Sequence, residues 1–397
     1  MKLIRLALLA AFIPVEAPAA LPRVALPESG GRGGPVMAPA AVGSSLALPA
    51  ALTVGPSVVS ALLAVPVPNA AAPVVVVSAS AEDAGRDETG AYVSRRLADI
   101  FNKLDGDIYL PESAATGEIR RRVRRDLMNT ALEAKDRSEA DTLSQVAVEI
   151  DKALAAIQIH LDSREIDPQL SVRVDPDALA VKASQRPVKL GFYPIAADPF
   201  QWGHLIIALR AMGELGLDQV VFVLQGDDPI RKPTMTPAEV RHPMGQEVID
   251  IFAPFFSYSS IARGTSFDGE TNIFRFMALN SGVPMEVWYM VGDDHYRLVD
   301  KKGNPDTLPK LEINSQKNFG QDSSIHQIRV AFIEREMPGY KVPTSLTVRF
   351  LSHVGFDVSS SMARGGRHDL VPYTALRYAR THGLYGLNPN SIISNRP

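Results

Sequence analysis

The stretch that decides the fold is Val188-Lys189-Leu190-Gly191-Phe192-Tyr193, followed by Ala197-Asp198-Pro199-Phe200-Gln201-Trp202-Gly203-His204. The first part is a short apolar run of strand type. The second leads into an apolar-periodic segment in which Leu205, Ala208, Leu209, Met212 and Leu215 fall on one helical stripe. A glycine and a histidine between a strand and a helix put a compact donor at a helix N-terminus. Free backbone N–H groups and the helix dipole both favour an anion there. Taken alone, a histidine in this place equally suits a helix start that satisfies its own turn.

Downstream the pattern keeps alternating. Strand-like runs are expected at 188–193, 219–224, 255–261, 285–291, 328–333 and 345–350. Helices are expected at 203–215, 237–251, 269–280 and 373–381. Alternation of this kind predicts an α/β fold, a Rossmann-like doubly wound parallel sheet with helices on both faces. Ligands of such sheets bind beyond the carboxyl ends of the strands.

Upstream the chain changes character twice. Lys2 and Arg5, the apolar residues 6–13 and Ala17-Pro18-Ala19 read as a secretory signal over 1–20, with an alanine-rich leader as the alternative. Residues 21–87 are a low-complexity segment, expected to be disordered. Eleven of the 30 prolines lie in the first 80 residues, and no aromatic occurs between Phe12 and Tyr92. Its apolar runs are too short to span a bilayer, so no stable membrane span is expected, though a surface-associating segment is a second reading. Export is expected if the signal is used, and a cytoplasmic protein if it is not. Residues 88–160 form a helical region in which Val93, Leu97, Ile100, Phe101 and Leu104 recur at helical spacing. Further helices are expected there at 118–134 and 139–160. Residues 161–186 read as a connector with short extended pieces, 187–387 as the domain of alternating strands and helices, and 388–397 as a tail.

Two charge features bear on partners. The net charge is -3, so no overall basic field points to nucleic acid. The run Arg120-Arg121-Arg122-Val123-Arg124-Arg125 reads first as a solvated helix face with Val123 and Leu127 turned inward. Its second reading is a contact for an anionic partner. The absence of cysteine excludes disulfides and thiolate chemistry. Asp293-Asp294-His295 raises the question of a metal, but no similarly spaced ligand partner supports it, and no protein metal site is expected. Oligomeric state is left open.

A second segment, Val358-Ser359-Ser360-Ser361-Met362-Ala363-Arg364, lies near the far end of the chain. Its serines also suit an ordinary helix N-cap. With the first segment it makes the resemblance specific: 187–387 resembles the bacterial nicotinate-nucleotide adenylyltransferase family of the HxGH nucleotidyltransferases. Asp198, Pro199, Gly203 and His204 match the F-D-P-x-H-x-G-H opening. Asp228-Pro229-Ile230-Arg231-Lys232-Pro233 is similar to the P-P-H-K/R loop, and Arg241-His242-Pro243-Met244 to the arginine-led helix start after it. Asp268-Gly269-Glu270-Thr271 is similar to S-Y-T, Val291-Gly292-Asp293-Asp294 to I-G-A-D, and Arg335-Glu336-Met337-Pro338-Gly339 to R-R-P-G. Residues 358–364 resemble I-S-S-T-x-I-R, and Leu370-Val371-Pro372 with 378–385 resembles the closing L-V-P…Y-I-x-x-H-G-L-Y.

The resemblance implies transfer of the adenylyl group of ATP to nicotinate or nicotinamide mononucleotide. Small nucleotides are then the partners, and magnesium arrives bound to the ATP phosphates. Another phosphorylated acceptor, or a non-catalytic nucleotide-binding protein, are the competing readings. It implies His204, Gln201 and Arg364 as catalytic residues, with Ser359 and Ser360 donating to phosphate from the second segment. Asp198, Gly203, Gly292 and Asp294 are implied nucleotide contacts, Arg231 or Lys232 a cover over the phosphates, and Thr271 a substrate contact. Such chemistry needs positioning and neutralisation of charge more than a general base.

The sequence departs from the pattern at informative places. Gln201 replaces the first histidine of HxGH, and an amide cannot become cationic. Pro194-Ile195-Ala196-Ala197 stands where the family has a glycine pair, so side chains are expected to obstruct close approach of backbone to phosphate. The tryptophan-bearing segment after I-G-A-D has no counterpart, and a longer polar insert runs over 301–324. Isoleucine of the final motif is Ala363.

Overall fold

The computed structural model describes residues 81–169, 172–177, 186–264, 268–319, 326–334 and 341–388. The expected signal and most of the low-complexity segment lie outside the described residues, as do the R-R-P-G-like residues 335–339 and the end of the tail.

Three helices come first: α1 (Ala81–Asp107), α2 (Ala115–Ala131) and α3 (Arg137–Asp162). The first begins at Ala81, earlier than residue 88. Then follow β1 (Val188–Ile195), α4 (Trp202–Leu215), β2 (Gln219–Leu224), α5 (Ala238–Asp250), β3 (Phe256–Ser259) and α6 (Gly269–Leu279). After them come β4 (Met285–Gly292), α7 (Asp294–Arg297), α8 (Thr307–Phe319), β5 (His326–Glu334) and β6 (Thr347–Ser352). The last helices are α9 (Ser360–Arg364) and α10 (Tyr373–Thr381).

The six strands form one parallel sheet in the order β3-β2-β1-β4-β5-β6. Gly191 of β1 lies between Val220 of β2 and Trp288 of β4, which fixes the register at the centre. The order reverses between β1 and β4, so the crevice beyond their carboxyl ends is where a ligand is expected.

Successive side chains of a strand point to opposite faces. Phe192, Val221, Tyr289 and Phe332 therefore join one buried cluster with Ile273, Phe276 and Leu311 of α6 and α8. Tyr193, Phe222 and Trp288 join the other, with Leu205 and Leu209 of α4 and Val248 of α5. That second cluster continues without a break into Leu97, Val123, Leu143 and Leu154 of the helical region. The region is thus a further layer over α4, α5 and α10, sharing their core.

Local chemistry sets the element ends. The Asp136 side chain accepts from the N–H groups of Ser138 and Glu139 and starts α3. Asp268 does the same for α6 through Thr271. Gly216 ends α4 at φ 62, a left-handed conformation that glycine adopts without a Cβ penalty.

Two expectations are corrected. The polar insert at 301–324 carries a helix, α8, seated by Leu308 and Leu311. The arginine run is a solvated face only in part: Arg121 and Arg125 are exposed, while Arg120, Arg122 and Arg124 are taken up by protein groups. Val123 and Leu127 do point inward. Arg120, however, is buried and pairs with Asp151 at 2.7 Å, where Arg124 also reaches at 2.9 Å. Arg124 lies 4.5 Å over the Phe101 ring. Arg122 donates to the carbonyls of Asp250 at 3.0 Å and Ala253 at 2.6 Å, tying α2 to the end of α5. Among the described residues no helix is long and apolar enough to cross a membrane.

Candidate nucleotide site at the carboxyl edge of the sheet

The turn after β1 carries the first motif, and it is held from three directions. Ala197 sits at φ 50 and is buried. This is the left-handed region that glycine prefers, so alanine takes up the backbone shape where the family pattern has glycine. Asp198, also buried, accepts from the Tyr385 hydroxyl at 2.8 Å and from the Thr236 amide at 3.3 Å. Arg364 donates to the Asp198 carbonyl and stands 3.6 Å from its carboxylate. The fully buried Arg241 guanidinium bonds the carbonyls of Thr236 and Ala196 at 2.5 Å and of Gln225 at 2.8 Å, joining the loops after β1 and β2. His242 beside it meets Tyr258 Oη at 2.6 Å, and burial pushes its imidazole down to about 4, so it is neutral at pH 7.

Gln201 occupies the N-cap position of α4 with extended backbone. Its Nε2 lies 3.2 Å from His204 Nε2 and donates to Ser360 Oγ at 3.3 Å, across 159 residues of chain. Its Oε1 is buried and has no hydrogen-bond partner among the described residues. Ser360 Oγ in turn donates to the Pro199 carbonyl at 3.3 Å. Ser359 caps α9, its Oγ accepting from the Met362 amide at 3.2 Å. The approach of the two segments requires Gly203: a Cβ there would stand 2.8 Å from Val358 Cγ1.

Two adjoining cavities open on either side of the end of β1. The first, about 330 Å³, is lined by Gln201, Gly203, His204, Gly292, Asp294 and Val358, with Lys232 and His295. The second, about 240 Å³, is lined by Asp228, Arg231, Lys232, Asp268, Glu270, Tyr289 and His295. Pro194, Ile195 and Ala196 form a shared wall, so these side chains do occupy the approach where the family pattern has glycines.

The expected site residues therefore separate. Gln201, Gly203, His204, Gly292 and Asp294 line the first cavity, Arg231 the second, and Lys232 both. Lys232 Nζ donates to Gln225 Oε1 at 2.9 Å, and burial lowers its ammonium. Arg231 pairs with Asp228 at 2.6 Å. Asp198, Ser359, Ser360 and Arg364 line neither cavity; Asp198, Ser360 and Arg364 tie the two motifs together, and Ser359 caps α9. Thr271 is also outside the lining, its amide taken by the Asp268 cap at 2.9 Å, while Gly269, Glu270 and Asn272 around it face the second cavity.

Glu270, Tyr289 and His295 were not singled out by sequence reasoning. Glu270 enters the sequence reading only inside the S-Y-T-like stretch, and His295 only as a metal candidate. In the structure His295 Nδ1 stands 3.6 Å from Glu270 Oε1, and that carboxylate raises the imidazole. Among the described residues no group of three or more His, Asp or Glu has the geometry to hold a metal ion.

No family model matches the chain. Among curated relatives, a probable nicotinate-nucleotide adenylyltransferase of Oceanobacillus iheyensis is 26% identical over 203 residues, covering 49% of this chain and 94% of the relative. The protein so described in Neisseria meningitidis serogroup A is 29% identical over 204 residues, covering 50% of this chain and 98% of the relative. Among solved structures, Plasmodium falciparum nicotinic acid mononucleotide adenylyltransferase complexed with NaAD aligns at a TM-score of 0.37 and 12% identity, over 51% of this chain and 99% of that one. About half of this chain is thus nicotinate-nucleotide adenylyltransferase-like, a nucleotidyltransferase-type domain on a Rossmann-like sheet.

Proposed function

We propose that this chain transfers the adenylyl group of ATP to nicotinate or nicotinamide mononucleotide. An oxygen of the mononucleotide phosphate attacks the α-phosphorus of ATP. The bond from that phosphorus to the bridging oxygen breaks, and pyrophosphate leaves with the electron pair, leaving the dinucleotide. The attacking oxygen is already anionic, so the protein's part is to align two phosphate groups and offset their charge.

The single observation that carries this reading is the meeting of Gln201 and Ser360 beside His204, at the point where the sheet order reverses. In this reading His204 donates to phosphate from the first turn of α4. Lys232, lining both cavities, is placed to answer charge on the groups that pass between them. Magnesium would come on the ATP phosphates and neutralise the leaving pyrophosphate. A neutral Gln201 gives up the charge assistance of a second histidine, so a slower chemical step than that of an HxGH enzyme is expected.

A binding-only reading is favoured by one observation. Ser359, Ser360 and Arg364 already bond protein groups, and so they support the site more than they face it. One experiment separates the two readings: pyrophosphate release with ATP and magnesium, with each mononucleotide in turn. Release that depends on a mononucleotide, with the dinucleotide as product, is the expected result. Bound ATP without release would leave the binding-only reading standing.

A further inference from the structure

Gln201 leaves a charge missing at the first motif, and the same cavity carries a histidine that the motifs do not account for. His295 stands in α7, just past the end of β4, and lines both cavities. The other charged or titratable side chains around the first cavity include His204, His353, Lys232 and Asp294. His353 Nδ1 meets the Val354 carbonyl at 3.2 Å. Lys232 donates to Gln225, and burial lowers its ammonium. His295 is placed differently. Its Nδ1 stands 3.6 Å from Oε1 of Glu270, whose side chain is 6% exposed, while that of His295 is 36% exposed. Glu270 lines the second cavity and not the first, so its carboxylate is set back and the ring lies at the boundary. The nearby acids are otherwise engaged: Asp228 pairs with Arg231 at 2.6 Å, and Asp268 accepts from the Thr271 amide at 2.9 Å. A carboxylate against one ring nitrogen favours the charged ring and leaves the other nitrogen to donate. Glu270 raises the imidazole above its ordinary value and Asp294 adds to this, while burial and Lys232 oppose it.

We propose that His295 is a further catalytic residue: its Nε2 donates to a phosphate oxygen of ATP and supplies in part the positive charge that Gln201 cannot, with Glu270 as the positioning residue behind it. The proposal rests on the adenylyl-transfer reading above. Charge-assisted donors are roughly twice as strong as neutral ones, and they count for more where phosphates crowd a cleft with little water. The imidazolium binds and neutralises; it passes no proton, because the attacking oxygen is already anionic. Its charge is lost as pH rises through the raised value of the ring. ATP binding and adenylyl transfer should therefore weaken on the alkaline side. Phosphate monoesters lose their second proton near pH 6, so above about pH 7 a change belongs to the protein. A fall caused by Lys232 instead would persist in a variant without the imidazole.

The test uses the full chain with ATP and magnesium between about pH 7 and about pH 9. Two quantities are read: kcat for dinucleotide formation with each mononucleotide, and calorimetric affinity for magnesium-bound ATP alone. In the wild type both should fall across that range. His295→Gln should lower both about tenfold at the acid end and abolish the fall. His295→Lys should recover most of both and hold them to the alkaline end. Glu270→Gln should move the fall to lower pH. Gln201→His should raise kcat more in the His295→Gln background than in the wild type, because the two positions supply the same charge. A fall that persists unchanged in His295→Gln, or no fall in the wild type, overturns the role of His295 and leaves adenylyl transfer intact. ATP affinity that falls with pH in the wild type but not in His295→Gln, with no dinucleotide from either mononucleotide, keeps His295 as the phosphate-binding cation and overturns the transfer. No binding of ATP overturns both. If His295→Gln fails to fold, His295→Lys and Glu270→Gln decide: a fall at the wild-type pH in either overturns the proposal.

Discussion

The arginine run of α2 and the sparse cations at the sheet edge make an instructive pair. The first is the densest positive charge in the sequence, and three of its five arginines are consumed by the molecule's own groups. Arg120 and Arg124 converge on Asp151, and Arg122 binds carbonyls at the end of α5. The second is nearly invisible as a charge feature, yet Lys232 faces both cavities. Density of charge along a chain therefore says little about where a ligand binds. Position relative to the carboxyl ends of the strands says much more, because the topology leaves an open crevice only where the order reverses.

The largest expected effect lies on the helical side. Arg120→Ala leaves Asp151, whose side chain is 3% exposed, with Arg124 as its remaining partner. Breaking a buried pair by removing one member costs about 3–5 kcal/mol. Urea unfolding should show a loss toward the lower end of that range, with kcat per folded molecule unchanged. A loss below about 1 kcal/mol would mean that the pair behaves like an exposed one.

The sheet edge should show the opposite pattern. His204→Ala removes one donor at the phosphates and should lower kcat on the order of a hundredfold. Its ring meets Phe200 at 5.6 Å and Tyr193 at 6.4 Å, so some packing is lost as well. Even so, the fall in stability should be smaller than for Arg120→Ala. An unchanged rate would remove His204 from the chemistry. A stability loss larger than that of Arg120→Ala would erase the contrast between bracing and working side chains.

Most of the scaffold was legible because its signal is local. All six strands and the four helices expected from 187 onward are present, since each has an apolar run or stripe of its own. Boundaries moved by a few residues, as at β6, expected at 345–350 and found at Thr347–Ser352. The helix α8 was hidden because its apolar anchors, Leu308 and Leu311, are too few for a stripe. The site was legible only in part. Residues that face the cavities, such as His204, Lys232 and Asp294, matched a pattern in place and in chemistry. Asp198, Ser359, Ser360 and Arg364 matched it just as well, but their side chains turn to protein groups, and sequence spacing carries no information on which way a side chain turns. Glu270 was hidden inside a stretch that matched the family pattern at Thr271. Pairing of the arginine run with Asp151 and with the end of α5 depends on contacts between distant segments, which no local pattern records.

The smallest expected effect concerns the turn itself. Ala197 holds φ 50 with its methyl buried. Ala197→Gly relieves about 1–2 kcal/mol of left-handed strain. Against this stand about 0.8 kcal/mol for the lost buried carbon and about 0.4–1 kcal/mol for the freer unfolded chain. The terms nearly cancel, so thermal unfolding should place the variant within about 1 kcal/mol of the parent. A loss above about 2 kcal/mol, the size of a packing defect, would mean that methyl packing fixes this turn. The bracing by Arg241, Arg364 and Tyr385 would then be secondary, and the first motif would belong with the arginine run, among features the molecule spends on holding itself together.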